Sequence, residues 1–120
     1  SRRAIAQAEM LSLSSALERY YSENNHYSNA AAAGADIGAP AGTVYRVEAE
    51  VATFYTITIS KTDDSDVDGA GNPVDTVAAQ SYELSAVPVT GSAMAGDRCG
   101  TMTLSSAGVK TPTTPTDCWR

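Results

Sequence analysis

Between Ala4 and about Tyr21 the chain holds no Gly or Pro, and its apolar residues return every three or four positions. Most of the residues there are Ala, Leu, Glu, Gln, Met and Arg, types that lose little rotamer freedom in a helix. Ala6, Met10, Leu13, Leu17 and Tyr20 share one face, and Ser12, Ser15, Arg19 and Ser22 the other. The pattern predicts an amphipathic helix within residues 1–27, laid on something larger. Leu11 and Tyr21 sit beside the apolar stripe, either as its flank or as a second contact surface. The polar run from Ser22 to Ser28 ends the helix.

The helical period then disappears. Residues 28–42 are mostly Ala and Gly with one Pro, and read as a long connection with a short helical turn near Ala30–Ala33. Beyond them the period becomes two. Tyr45, Val47, Ala49 and Val51 alternate with Arg46, Glu48 and Glu50, and Tyr55, Ile57 and Ile59 alternate with Thr56, Thr58 and Ser60. Tyr82, Leu84 and Ala86 alternate likewise until Pro88, and a last apolar-polar run spans Thr101 to Leu104 before a turn at Ser105-Ser106-Ala107-Gly108. Four half-buried strands within 43–104 are predicted, with Pro88 marking an edge strand or a strand end. One helix followed by four strands is an α+β domain: a long N-terminal helix packed on a four-stranded, mainly antiparallel sheet.

Composition narrows the function. The 120 residues carry net charge −6 with eight Lys and Arg scattered along the chain, so no basic stripe is visible and direct nucleic-acid binding is not expected. The polar surface comes largely from 26 Ser and Thr, a composition that suits an exported protein. A single histidine, His26, lies in the turn after the helix, and nothing around Ser14, Ser15 and His26 resembles a nucleophile elbow or an oxyanion hole. No enzyme is expected.

Cys99 and Cys118 are the two cysteines and bracket a tail, Lys110 to Asp117, that has no apolar residue beyond its two prolines to hold it to the body. A disulfide closing that loop of about 20 residues would stabilise by about 3 kcal/mol on the chain-entropy model. It would also place the chain in an oxidising compartment, the periplasm or cell exterior. The alternative, free or metal-binding thiols, needs further ligands, and the chain offers one histidine.

The segment Gly96-Asp97-Arg98-Cys99-Gly100-Thr101-Met102-Thr103-Leu104-Ser105-Ser106-Ala107-Gly108-Val109-Lys110, with Asp117-Cys118-Trp119, is similar to the tail of PilE-like type IV pilins. There a Cys-Gly enters the final strand and a Cys-Trp closes the chain. Tyr82 to Pro88 resembles the preceding strand, and Arg2-Arg3-Ala4 through Glu18-Arg19-Tyr20-Tyr21 with Tyr27-Ser28 resembles the exposed part of the pilin helix. The helix starts abruptly at Ser1 without a capping box, so the resemblance implies a pilin head lacking its hydrophobic N-terminal half-helix. It implies a filament subunit with other pilin subunits as partners, the membrane engaged only through the missing helix, and a methylated full-length N-terminus. It also implies an inner-membrane stage in a Gram-negative bacterium before an extracellular pilus. The fibre would serve adhesion, motility or DNA uptake. Leu11 and Tyr21 then become candidate subunit contacts. The alternatives are a pseudopilin of a type II secretion system and a secreted calcium-binding module. Tyr20, Tyr21 and Tyr27 read as helix-to-sheet packing over an electron path in a conductive filament.

Residues 63–75 hold five of the 14 acidic residues and no basic one. Counted from Asp64, the side chains of Asp64, Asp66, Asp68, Asn72 and Asp75 and the carbonyl of Ala70 follow the spacing of an EF-hand calcium loop, with Gly69 at its turn. Asp75 replaces the usual Glu and strands replace the flanking helices, so the set is a candidate Ca2+ or Na+ site rather than an EF-hand. The competing reading is a solvated hairpin loop. No cofactor is required.

Overall fold

The computed structural model describes residues 2–62, 66–67, 73–74, 80–113 and 118–119, with 66–67 and 73–74 described by their backbone alone. Helix α1 spans Arg2–Asn24 and buries Ala6, Met10, Leu13, Ala16 and Leu17, the face its periodicity marks. It stops at Asn25, whose φ of 62° is the left-handed turn that Asn tolerates at a helix end. The connection that follows contains a single 3-10 turn, Ala32–Gly34.

Helix α2 spans Ala49–Phe54 and runs straight into strand β1, Tyr55–Thr62. Strands β2, Asp66–Val67, and β3, Pro73–Val74, pair as a separate two-stranded antiparallel sheet. Then come β4, Tyr82–Pro88, β5, Met102–Ser105, and β6, Lys110–Thr111. The main sheet has the order β1-β4-β5-β6 and every pairing in it is antiparallel. Tyr55, Ile57, Ile59, Tyr82, Leu84, Ala86, Met102 and Leu104 point to one side and meet α1 there. The opposite side carries hydroxyls, including the register row Thr58, Ser85, Thr103 and Thr111.

The four-stranded sheet is the predicted architecture, with one strand exchanged. Residues 45–51 were expected as a strand from their alternation. Instead 45–48 cross α1 as an irregular strap and Ala49 begins α2, where only Val51 is buried. Their partner is a side chain of α1 rather than a strand, and on the outer edge of β1 it is Gly38 that exchanges two hydrogen bonds with Ile59. The fourth strand is β6, which follows the turn at Gly108, a residue with φ of 83°. Two residues are too short to show a period, so the pattern carries no sign of it.

Candidate functional site

Three places concentrate polar side chains. The first joins the start of α1 to the disulfide. Cys99 and Cys118 are bonded, with their Cα atoms 5.8 Å apart. Arg3 holds Asp97 with two hydrogen bonds, Nε to Oδ2 at 3.1 Å and Nη2 to Oδ1 at 2.6 Å. The Cys99 amide donates to the same carboxylate at 3.3 Å. The Arg3 guanidinium in this way keeps the Asp97 carboxyl below its ordinary value of 3.8. Gln7, buried on α1, donates to the carbonyl of Cys118. Trp119 donates its indole N–H to the Thr111 carbonyl at 2.6 Å, and the Lys110 ammonium lies 5.5 Å from its ring centre.

The second is the aromatic end of α1. Tyr21 and Tyr27 pack as tilted rings with centres 4.7 Å apart, and Tyr27 meets Tyr82 edge to face at 4.8 Å. Glu18 accepts from the Tyr27 hydroxyl at 3.0 Å, and Ser14 and Tyr82 share a hydrogen bond of 2.5 Å. Burial first, then the bond to Glu18, raises the Tyr27 hydroxyl above its ordinary pKa, and burial raises Tyr82. Tyr21 is half-buried on the flank of the core and donates to Gln80 at 2.6 Å, whereas Leu11 is 47% exposed.

The third lies where the strap runs back along α1. Thr43 and Val44 lie beside Ala16, Arg19, Tyr20 and Glu23 around one shallow cleft, and a second cleft is lined by Gly42, Tyr45, Arg46 and Val47. Glu9, 7% exposed on α1, accepts the Tyr45 hydroxyl at 2.5 Å and the Glu48 amide at 3.2 Å, both on Oε1. Arg19 and Arg46 are exposed, and neither has a hydrogen bond or an ion pair among the described residues. Arg2, by contrast, lies 4.4 Å over the Phe54 ring.

The proposed cation ligands Asp64, Asp68, Ala70, Asn72 and Asp75 lie outside the described residues, and of Asp66 only the backbone is described, paired with Val74. Among the described residues no group of His, Cys, Asp or Glu is arranged to hold a metal, and no helix is long and apolar enough to cross a membrane. Sequence reasoning passed over Glu9, Arg19 and Arg46 as site residues. A legible signal existed for Glu9: it stands three residues after Ala6 and four before Leu13, inside the apolar stripe, where a carboxylate has no business unless it has partners.

A long helix on an antiparallel sheet with a disulfide-closed C-terminal segment is the architecture of the type IV pilins. One solved member, described as the structure of a type IV pilin from Shewanella oneidensis, superposes with a TM-score of 0.57 over 99% of this chain and 94% of that one, at 24% identity. Residues 1–103 match the family described as type IV minor pilin ComP, DNA uptake sequence receptor, and the chain belongs to that family. No curated protein sequence matches it. Pilins are structural subunits of extracellular fibres. The family description runs against the absence of a nucleic-acid partner inferred from charge. Net charge is a sum over the whole chain, and five of its 14 acids collect in residues 63–75, so it says little about the field at any one surface.

Proposed function

We propose that this chain is a minor subunit of a type IV pilus that serves DNA uptake and touches the DNA itself, through Arg19, Arg46 and the loop between them. The family match over residues 1–103 carries the reading. It favours a pilus subunit over a pseudopilin or a secreted calcium-binding module, and DNA uptake over adhesion or motility. On this reading the subunit waits in the inner membrane before it joins the fibre. Two exposed arginines without partners among the described residues are suited to the work, since a guanidinium reads the O6 and N7 edge of guanine or clamps a phosphate.

With two arginine contacts the binding has a small electrostatic share. Each phosphate neutralised contributes about −0.9 to the slope of log K against log salt, so two contacts give a slope of about −2. Fluorescence anisotropy with short labelled duplexes across a salt series tests this. We expect saturable binding with that shallow slope, and about a tenfold or greater loss for Arg19→Ala with Arg46→Ala. Failure to bind any duplex at low salt removes the DNA contact, and exclusion of the full-length subunit from surface fibres removes the pilus role. The cation site in residues 63–75 rests on spacing alone. Calorimetric titration with calcium on the wild type and on Asp66→Ala with Asp68→Ala decides it, and no heat of binding ends the idea.

A further inference from the structure

We infer that Glu9 is a positioning residue for the DNA contact, its buried carboxylate tying down both ends of the strap 45–48 and so fixing where Arg46 is presented. The inference rests on the reading just proposed. A carboxylate out of water is costly unless its oxygens are well bonded, and Glu9 has no ion pair among the described residues. What it has is the Tyr45 hydroxyl at 2.5 Å and the Glu48 amide at 3.2 Å. Those two donors stand on either side of Arg46 and Val47.

The geometry leaves the strap little other freedom. The amides of Val44 and Tyr45 both donate to the Ala41 carbonyl, at 2.8 and 3.0 Å, which closes a tight turn before the strap. The Ala52 amide donates to the Glu48 carbonyl at 3.0 Å, which starts α2 after it. Between these two anchors one carboxylate holds the strap onto α1 by charge-assisted bonds, about twice as strong as neutral ones. Arg46 is left pointing outward, its Nε lying 3.7 Å from where a Cβ on Gly42 would stand. An arginine on a pre-placed backbone loses less freedom on binding than one on a loose loop.

The test measures duplex affinity and amide hydrogen exchange at 45–48 for wild type, Glu9→Ala, Glu9→Gln, Tyr45→Phe, Arg46→Ala and two double variants, Glu9→Ala with Arg46→Ala and Tyr45→Phe with Arg46→Ala. We expect Glu9→Ala to speed exchange across the strap and to weaken DNA binding about as much as Arg46→Ala, roughly tenfold. Glu9→Ala with Arg46→Ala should lose no more than Arg46→Ala alone. Glu9→Gln, which keeps an acceptor oxygen, should restore most of the affinity. Tyr45→Phe removes one donor while keeping the ring, and should give a smaller loss that vanishes without Arg46, a result available even if Glu9→Ala does not fold. Additive losses, or unchanged exchange at 45–48, overturn the inference while leaving the DNA reading intact. A wild type that binds no duplex overturns both.

Discussion

At the scale of single residues, the chain fastens its helix with a few polar contacts set at the edges of an apolar core. Arg3 and Asp97 form one of them, 22% and 13% exposed. Because Arg3 lowers the Asp97 pKa below 3.8, the stability it contributes is present above about pH 4 and lost as pH falls below that. Arg3→Ala should cost about 1–2 kcal/mol at pH 7 and flatten the acid side of a melting-temperature profile. The tyrosines act at the other end of the scale. Tyr27 and Tyr82 have pKa values raised above 10, so above pH 10 the unfolded chain ionises before the folded one does. Stability is whole below that pH and declines as pH rises through the raised values. Tyr27→Phe should show a shallower alkaline decline in thermal melts, and an unchanged slope would place the titration elsewhere.

At the scale of elements, α1 and the sheet were largely readable from the chain. Ala6, Met10, Leu13 and Leu17 are buried as their spacing implies, and so are Tyr55, Ile57, Ile59, Tyr82, Leu84 and Ala86. Leu13→Ala should therefore cost about 2–5 kcal/mol in urea unfolding, as large-to-small changes in a tight core do. The segment 45–51 shows the limit of the same logic. Its alternation is as regular as that of 55–60, yet Glu9 on α1 claims its backbone and the outer edge of β1 is already bridged by Gly38. Period two states that a segment can have two faces; it does not state that a neighbouring strand is there to pair with. The C-terminal end depends on a covalent link in the same way. Cys99→Ser with Cys118→Ser should lose about 3 kcal/mol and loosen the contacts of Trp119 and Gln7.

At the scale of the whole molecule, the chain presents different surfaces on different sides. One side of α1 is spent on the sheet, while Ile5 and Leu11 stay 44% and 47% exposed on the rest of it. We propose that Leu11 meets a neighbouring subunit in the fibre. Leu11→Asp should leave the melting temperature of the isolated chain within about a degree, since exposed positions usually change stability by under 0.5 kcal/mol, while reducing incorporation of the full-length subunit into fibres. Normal incorporation would locate the contact elsewhere. The charge of −6 fits the same picture, with five acids in residues 63–75 and two exposed arginines, without partners among the described residues, on the strap side of α1.

The amino-acid sequence by itself determined the helix, three of the four strands, the face each buries and the pair of cysteines that close the tail. Those features depend on residues a few positions apart, and periodicity records them directly. The tertiary structure alone decided that 49–54 turn into a helix, that Lys110–Thr111 complete the sheet, and that Glu9 meets Tyr45 and Glu48 across 36 and 39 residues. Contacts that distant are set by which surfaces remain unpaired once the core has packed, and no local pattern carries that information.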